Sequence, residues 1–331
     1  MLKLIKQYKR LLIILIFPYI YMLFILVAPT QLAVIAPGGL NQVEETIEID
    51  GYEMVENFNT IYVYTYSPIT PFQSWILAND DSIFIYPITE RDQDLSMKDE
   101  FQQGQLSKMV SLRTSIIQAY ELASVTMSEI SISYHYEGLY VYYRPSHVEG
   151  LEIGDQIVAI NGHNYSDFTH EEFKDFAYET EVEFTIKRTQ GEVITYHTVL
   201  YTYTEEDPYM IFYPCYVIDS ASPSFNLPGL DTIIGGPSGG LIQTLSIYVS
   251  LVNINIGDAK IAGTGTIEMS GNVGRIGGIS QKMYTAIYNK VDVMFIPASH
   301  VLEIPNREYP YLIIPVSTLE EAVQWLNEEY N

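Results

Sequence analysis

The feature that most constrains this chain is a run near its start, Leu11 to Ala28, which reads LLIILIFPYIYMLFILVA and holds no charged residue. As a helix, its 18 residues extend about 27 Å at about 1.5 Å per residue, enough to cross the hydrocarbon core of a bilayer. Pro18 is tolerated in such a helix. Lys3, Lys6, Lys9 and Arg10 precede the run, and no acid lies among the first ten positions. The positive-inside rule keeps a tail of that kind, residues 1–10, in the cytoplasm and sends the chain beyond the run across. A cleaved signal peptide is the alternative reading. It fits less well, because the run exceeds the usual apolar length of roughly 7 to 15 residues and no A-x-A site follows it. The expectation is an uncleaved, single-pass anchor over 11–28 in the cell membrane, with the C-terminal domains extracytoplasmic.

All 41 Asp and Glu residues lie beyond the basic tail, against 17 Lys and Arg in the whole chain. A body that acidic repels phosphate backbones, so nucleic acid is not an expected partner; peptides, proteins and cations are. Cys215 is the only cysteine, so no intrachain disulfide can form. The six histidines are scattered, with no H-E-x-x-H and no C-x-x-C, and neither a metal nor a cofactor is expected. At 47% hydrophobic and 13% aromatic the chain has ample material for packed cores. Its 331 residues make two or three domains of roughly 100 to 200 residues each.

The expected architecture is α+β and multidomain. Residues 29–125 read as a β-rich region with a helix. Thr60–Tyr66 and Ser82–Tyr86 alternate as strands do, Pro37-Gly38-Gly39 and Asn79-Asp80-Asp81 are turn chemistry, and Met109, Leu112, Ile116 and Ile117 mark one buried stripe of a helix over Gln105–Met127. The tyrosines here read as sheet surface and core filling.

Residues 126–203 have a different grammar: Gly138-Leu-Tyr-Val141, then Gly150-Leu-Glu-Ile-Gly-Asp-Gln-Ile-Val-Ala-Ile-Asn-Gly162. Ile157 and Ile160 are core positions, and Asn161-Gly162 supplies the positive φ angles of a tight turn. Thr169-His-Glu-Glu172 is a capping box opening a short helix with Phe173 and Phe176 on one face. Val182, Phe184 and Ile186 alternate in a strand that Gly191 turns back. About 65 residues resemble a PDZ domain. The resemblance implies capture of an extended peptide as an added strand beside Leu139–Tyr142, with Gly138, Leu139, Tyr140 and Val141 as the binding residues and N–H groups near Gly138 receiving a terminal carboxylate. A module used only as spacer or lid is the other reading.

Residues 204–331 concentrate glycine. Ile233-Ile-Gly-Gly-Pro-Ser-Gly-Gly-Leu-Ile242 runs from a strand end through a turn into a helix with Leu241, Ile242, Leu245 and Val249 on its apolar face. Pro237 suits a first helical position, which puts Ser238 at a helix start, where free N–H groups and the dipole favour negative charge. On this segment alone, Ser238 reads as a cap. A second segment, Ile261-Ala-Gly-Thr-Gly-Thr-Ile through Ile276-Gly-Gly-Ile-Ser-Gln-Lys282, changes that reading. Together, G-P-S-x-G and T-G-T-I/I-G-G-I-x-x-K resemble the proteolytic domain of the Lon family. The order of anchor, PDZ-like module and Lon-like domain is similar to the membrane-anchored, ATP-independent branch of Gram-positive bacteria.

The resemblance implies a serine endopeptidase with Ser238 as nucleophile and Lys282, 44 positions on, as its base. Gly236, Pro237 and Gly239 support the nucleophile, and Thr264, with Thr266 as runner-up, orients the lysine. A lysine base must be neutral, which requires burial that brings its pKa from about 10.4 towards 7 or 8. Ile276, Ile279 and Met283 are the expected apolar cover. Lys260 and Arg275 read as solvated charges. No G-x-x-x-x-G-K-[ST] occurs, so the phosphate cradle of an ATPase is missing. Ala usually follows the family serine where this chain has Gly239 and Gly240, and the energy-dependent relatives carry an acid at the position of Gly236. These departures motivate an alternative, a silent peptide-binding scaffold. The resemblance also implies a possible homo-oligomer. Val293–Pro297 and Thr318–Asn327 read as closing strand and helix.

Overall fold

The computed structural model describes residues 7–190, 193–204, 209–228 and 235–330; Lys3, Lys6, Gly191 and the Ile233-Ile234 strand end lie outside them. Helix α1 (Lys9–Val27) carries the apolar run, includes Pro18 and stops at Ala28, whose backbone is extended. It is long and apolar enough to cross a membrane. Beyond it come β1 (Leu32–Gln42), β2 (Phe58–Tyr66), helix α2 (Pro71–Leu77), β3 (Phe84–Pro87) and the long helix α3 (Met97–Ser124). Next are β4 (Ser131–Tyr143), β5 (Gln156–Ile160), α4 (His170–Phe176), β6 (Glu181–Gln190), β7 (Val193–Thr202) and β8 (Ile211–Ser222). The chain continues with α5 (Gly240–Val252), β9 (Ile261–Gly263), α6 (Ile279–Tyr288), β10 (Val293–Pro297), β11 (Leu312–Val316) and α7 (Leu319–Tyr330).

One mixed sheet has the order β11-β10-β9-β2-β1-β3. It joins strands from both ends of the chain, because β9 runs parallel to β2 (Ile261 opposite Phe58, Gly263 opposite Thr60). The sequence separates 29–125 from 204–331, but here the two stretches share a sheet and a core. Strand alternation sorts the side chains between layers. Phe58, Ile261, Val293 and Phe295 face a core shared with α3, α5 and α7, whereas Ile61, Ala262, Met294 and Ile296 face α6 on the opposite side. Both faces are covered, which is why Val293–Pro297 is buried at every position.

The second sheet, β8-β4-β5-β6-β7, is built around a separate core of Leu139, Val141, Ile157, Ile160, Phe173, Phe184 and Phe212. The capping box at Thr169 is formed and opens α4. Strand β8, which the sequence divides from this module at 203/204, completes it by pairing along β4. The module over 131–222 thus interrupts a single α/β unit. Pairing of distant strands leaves no periodic trace in either one, so sequence boundaries fell where composition changed.

Gly138 has φ +102°, and a Cβ there would lie 2.1 Å from the Ile157 carbonyl oxygen. Backbone atoms cannot move aside as a flexible side chain can. Gly138→Ala is therefore expected to destabilise the module by at least about 2 kcal/mol, measured by urea unfolding of the detergent-solubilised chain.

Candidate active site

Ser238 does not cap a helix. Helix α5 begins at Gly240 with Gly239 as its N-cap and no side-chain cap bond. Pro237 and Ser238 sit in the turn before it, not at the expected first helical position. This turn is clamped from several directions. The Gly236 N–H donates to the Gly104 carbonyl (3.0 Å), and the Gly265 N–H donates to the Ser238 carbonyl (2.8 Å). The Ser111 hydroxyl donates to the Pro237 carbonyl (3.0 Å). Gly236 has φ +102°, a conformation that disfavours any side chain.

The serine Oγ lies 2.7 Å from Nζ of Lys282, which projects from α6. The amine also donates to the Thr264 hydroxyl at 3.0 Å, and that hydroxyl donates its own proton to the Ser238 carbonyl at 3.1 Å. With its proton so committed, Thr264 can only accept from the amine, which directs the remaining nitrogen valence at Ser238. Thr266, the runner-up, instead lines a neighbouring groove. Thr264 is fully buried and Lys282 is 2% exposed. Burial alone lowers the Lys282 pKa from its ordinary 10.5 to about 7. Of the expected apolar cover, Ile279 and Met283 belong to the cluster beneath α6 and Ile276 packs against its margin; Ile61, Ala262 and Ile296 complete it. Lys260 and Arg275 point elsewhere. The first bonds the Asn289 carbonyl, and the second bonds the Ser299 carbonyl and Glu303.

Several contributing residues carry no motif. A stripe of small residues on α3, Gly104, Ser107, Ser111 and Ser115, gives the Ser238 turn and α5 room to approach; Ser115 also donates to the Gly240 carbonyl (3.0 Å). Gly104 lies just before the helix expected from the sequence over Gln105–Met127, so nothing in that pattern marked it. The glycine pair after Ser238 also has a packing reason. A Cβ at Gly239 would meet Thr60 at 2.9 Å, and one at Gly240 would meet Ser111 at 2.9 Å and the Ile267 backbone nitrogen at 3.0 Å. A cleft of about 600 Å³ opens over Ser238 and Lys282 and runs along Thr60–Thr65 of β2; buried Lys108 also lines it.

The expected peptide site at Gly138, Leu139, Tyr140 and Val141 requires correction. Leu139 and Tyr140 pair with Ile157 and Gln156 on one side, and Leu139, Tyr140 and Val141 pair with Pro214, Tyr213 and Phe212 on the other. Leu139 and Val141 are fully buried. A strand hydrogen-bonded along both edges offers no place for another. The edge strands of this sheet are β8 and β7, and a groove of about 560 Å³ lies between β8 residues 211–214, helix α4 (His170, Glu171, Lys174) and α3. Pro237 lines both this groove and the cleft over Ser238.

The buried amine imposes a pH dependence on folding. Its penalty is absent above the unfolded pKa near 10.5 and complete below the folded value of about 7. Stability from this group therefore rises with pH across that window, because the unfolded chain holds the extra proton. The full span is roughly 5 kcal/mol at about 1.4 kcal/mol per unit. Lys282→Met is expected to remove the rise between pH 7 and 9.5, read from urea unfolding of both proteins.

Comparison with known proteins agrees with this architecture. Residues 226–326 match the Lon protease (S16) C-terminal proteolytic domain, and residues 144–187 match the PDZ domain. Over 92 residues the chain is 33% identical to the Lon protease of Neorickettsia sennetsu, a stretch that is 27% of this chain and 11% of that protein. Together with the fold, these matches identify a chain that carries a Lon-type S16 proteolytic domain, a PDZ domain before it and an apolar N-terminal helix long enough to span a bilayer.

Proposed function

We propose that the chain is a membrane-anchored serine endopeptidase that cleaves exported or membrane-proximal peptides and proteins without ATP, with Ser238 as nucleophile and Lys282 as general base. One observation carries this reading: Nζ stands 2.7 Å from Oγ where burial lowers the amine's pKa to about 7. A neutral amine accepts the hydroxyl proton as Oγ attacks the peptide carbonyl. The oxyanion that forms lies at the N-terminal end of α5, whose dipole favours negative charge. As the tetrahedral intermediate collapses, the lysine ammonium returns its proton to the leaving amine. Water then enters, gives a proton to the same lysine and attacks the acyl-enzyme carbonyl. As that intermediate collapses, the ammonium returns the proton to Ser238 Oγ, releasing the carboxylic acid and restoring the neutral amine. Thr264 holds the amine in line throughout.

Substrate shape follows from β2. Strand β9 covers it only over Phe58–Thr60, so Ile61–Thr65 have no paired strand on that side among the described residues. An extended peptide added there as a strand would present a carbonyl to Ser238, which requires a flexible or already unfolded segment. The 331 residues hold no P-loop lysine motif, consistent with substrates that need no motor. The groove between α4 and β8 holds a second stretch of the same substrate, because it shares Pro237 with the cleft. The glycine pair that motivates a silent scaffold is accounted for by close packing against Thr60 and Ser111.

Ser238→Ala and Lys282→Ala are each expected to lower cleavage of an unstructured fluorogenic peptide by about a thousandfold or more while the circular dichroism spectrum is kept. In the parent chain, kcat/KM should rise with pH and level off above about 7, following the Lys282 amine. Undiminished turnover by either variant removes that residue from the mechanism. Val110→Trp fills the α4/β8 groove and leaves the cleft open. It should raise KM for a long unfolded protein by about fivefold and leave kcat for a short peptide unchanged.

A further inference from the structure

Helix α2 has the sequence PFQSWIL, with no charge and no buried residue. Two of its apolar side chains point outward: Trp75 is 71% exposed and Ile76 is 53% exposed. A two-turn helix facing only water would gain nothing from that arrangement. The element is nonetheless held firmly. Thr70 and Gln73 form a reciprocal capping box, and the Phe72 and Trp75 rings lie 6.1 Å apart.

Its position follows from the foot of α1. The Thr30 N–H and hydroxyl both donate to the Ile69 carbonyl, at 2.9 and 2.6 Å, and the Ile69 N–H donates to the Leu32 carbonyl at 2.9 Å. Helix α2 packs against α1. The Ile88 N–H donates to the Gln31 carbonyl (2.9 Å), so the end of β3 meets the same foot. A bilayer crossed by α1 ends where these bonds begin.

We propose that α2 is an interfacial collar that lies in the headgroup layer, with Trp75 and Ile76 inserted among the lipid tails. This rests on the reading of α1 as a membrane span. Trp is the side chain that favours this depth, with its ring among apolar groups and its N–H towards water. Asp80 and Asp81, both exposed, lie three and four positions beyond the end of the helix at Leu77. They oppose attraction to anionic headgroups, so insertion is apolar and zwitterionic lipid suffices. Two side chains are too few to recruit a free domain, but α1 already holds them at the surface, which turns insertion into a local event.

The consequence concerns substrate. The cleft runs along β2 from Thr60 towards Thr65, and Tyr66, at the end of the strand, leads through Pro68 into α2. Six residues of strand cover roughly 20 Å at about 3.3 Å each. The collar therefore sets Ser238 at a short, fixed height, suited to segments just outside the membrane.

The sequence holds two tryptophans, so Trp325→Phe leaves Trp75 as the only one. The full-length variant is reconstituted into phosphatidylcholine vesicles brominated at acyl positions 6,7 or 11,12. Emission from Trp75 should fall severalfold with the shallow bromines and less with the deep ones, and iodide should quench it weakly. Vesicle flotation with full emission in brominated lipid and ready quenching by iodide would overturn the collar alone. A chain that fails to float would overturn the anchor and the collar together. Should Trp325→Phe not fold, the difference in emission between the parent chain and Trp75→Phe gives the same readout. Trp75→Ser with Ile76→Ser should slow cleavage of a lipid-tethered peptide severalfold and leave a soluble peptide unaffected.

Discussion

The arrangement depends on one unfavourable act, the burial of a lysine amine that has no counter-charge among the described residues. In water Lys282 would stay protonated across the physiological range, and an ammonium beside Ser238 would take no proton. At 2% exposure the charged form loses its hydration, and the pKa falls to about 7 with no neighbouring acid or base needed. The rest of the α/β unit maintains that dry position. Helix α6 lays Ile279 and Met283 over Ala262, Met294 and Ile296 of the sheet. Thr264 gives the amine one polar contact without giving it a charge.

Such burial needs walls that come from far apart in the chain. One wall is β2, contributed by the stretch just after α1, which pairs with β9 more than 200 residues later (Asn59 donates to the Ile261 carbonyl across 202 positions). Another is α3, whose small residues let the Ser238 turn seat against it. Glycine serves close approach here as much as backbone freedom. Gly104 and Gly235 pack Cα against Cα, and a Cβ on Gly235 would fall 2.7 Å from the Gly104 Cα. The same logic applies to Gly239 and Gly240. A helix start that looks weak by propensity is the one that fits between Thr60, Ser111 and Ile267.

The module over 131–222 follows α3, and the groove along β8 and the cleft over Ser238 meet at Pro237. At the other end of the cleft, β2 leads to the foot of α1. Groove, cleft and the apolar helix α1 are thus ordered along one unit.

Much of this was legible in the residues. The uncharged run of α1, the Thr169 capping box and the alternation in β6 are local signals, written in nearest neighbours, and each carries its own period or cap. Ser238, Lys282 and Thr264 stood out through the glycine spacing around them and the resemblance it carries. What the residues could not convey was pairing. Nothing in Leu139–Val141 announces that β8 occupies its edge, nothing in Thr60–Thr65 announces a cleft, and Ser111 reads as an ordinary helix residue. Hydrogen bonds between strands are identical whatever the partner, and burial is a property of the assembled walls. The amino-acid order determined which elements form and which side chains can do chemistry. Only the tertiary structure decided which edges stay open and which amine is dry.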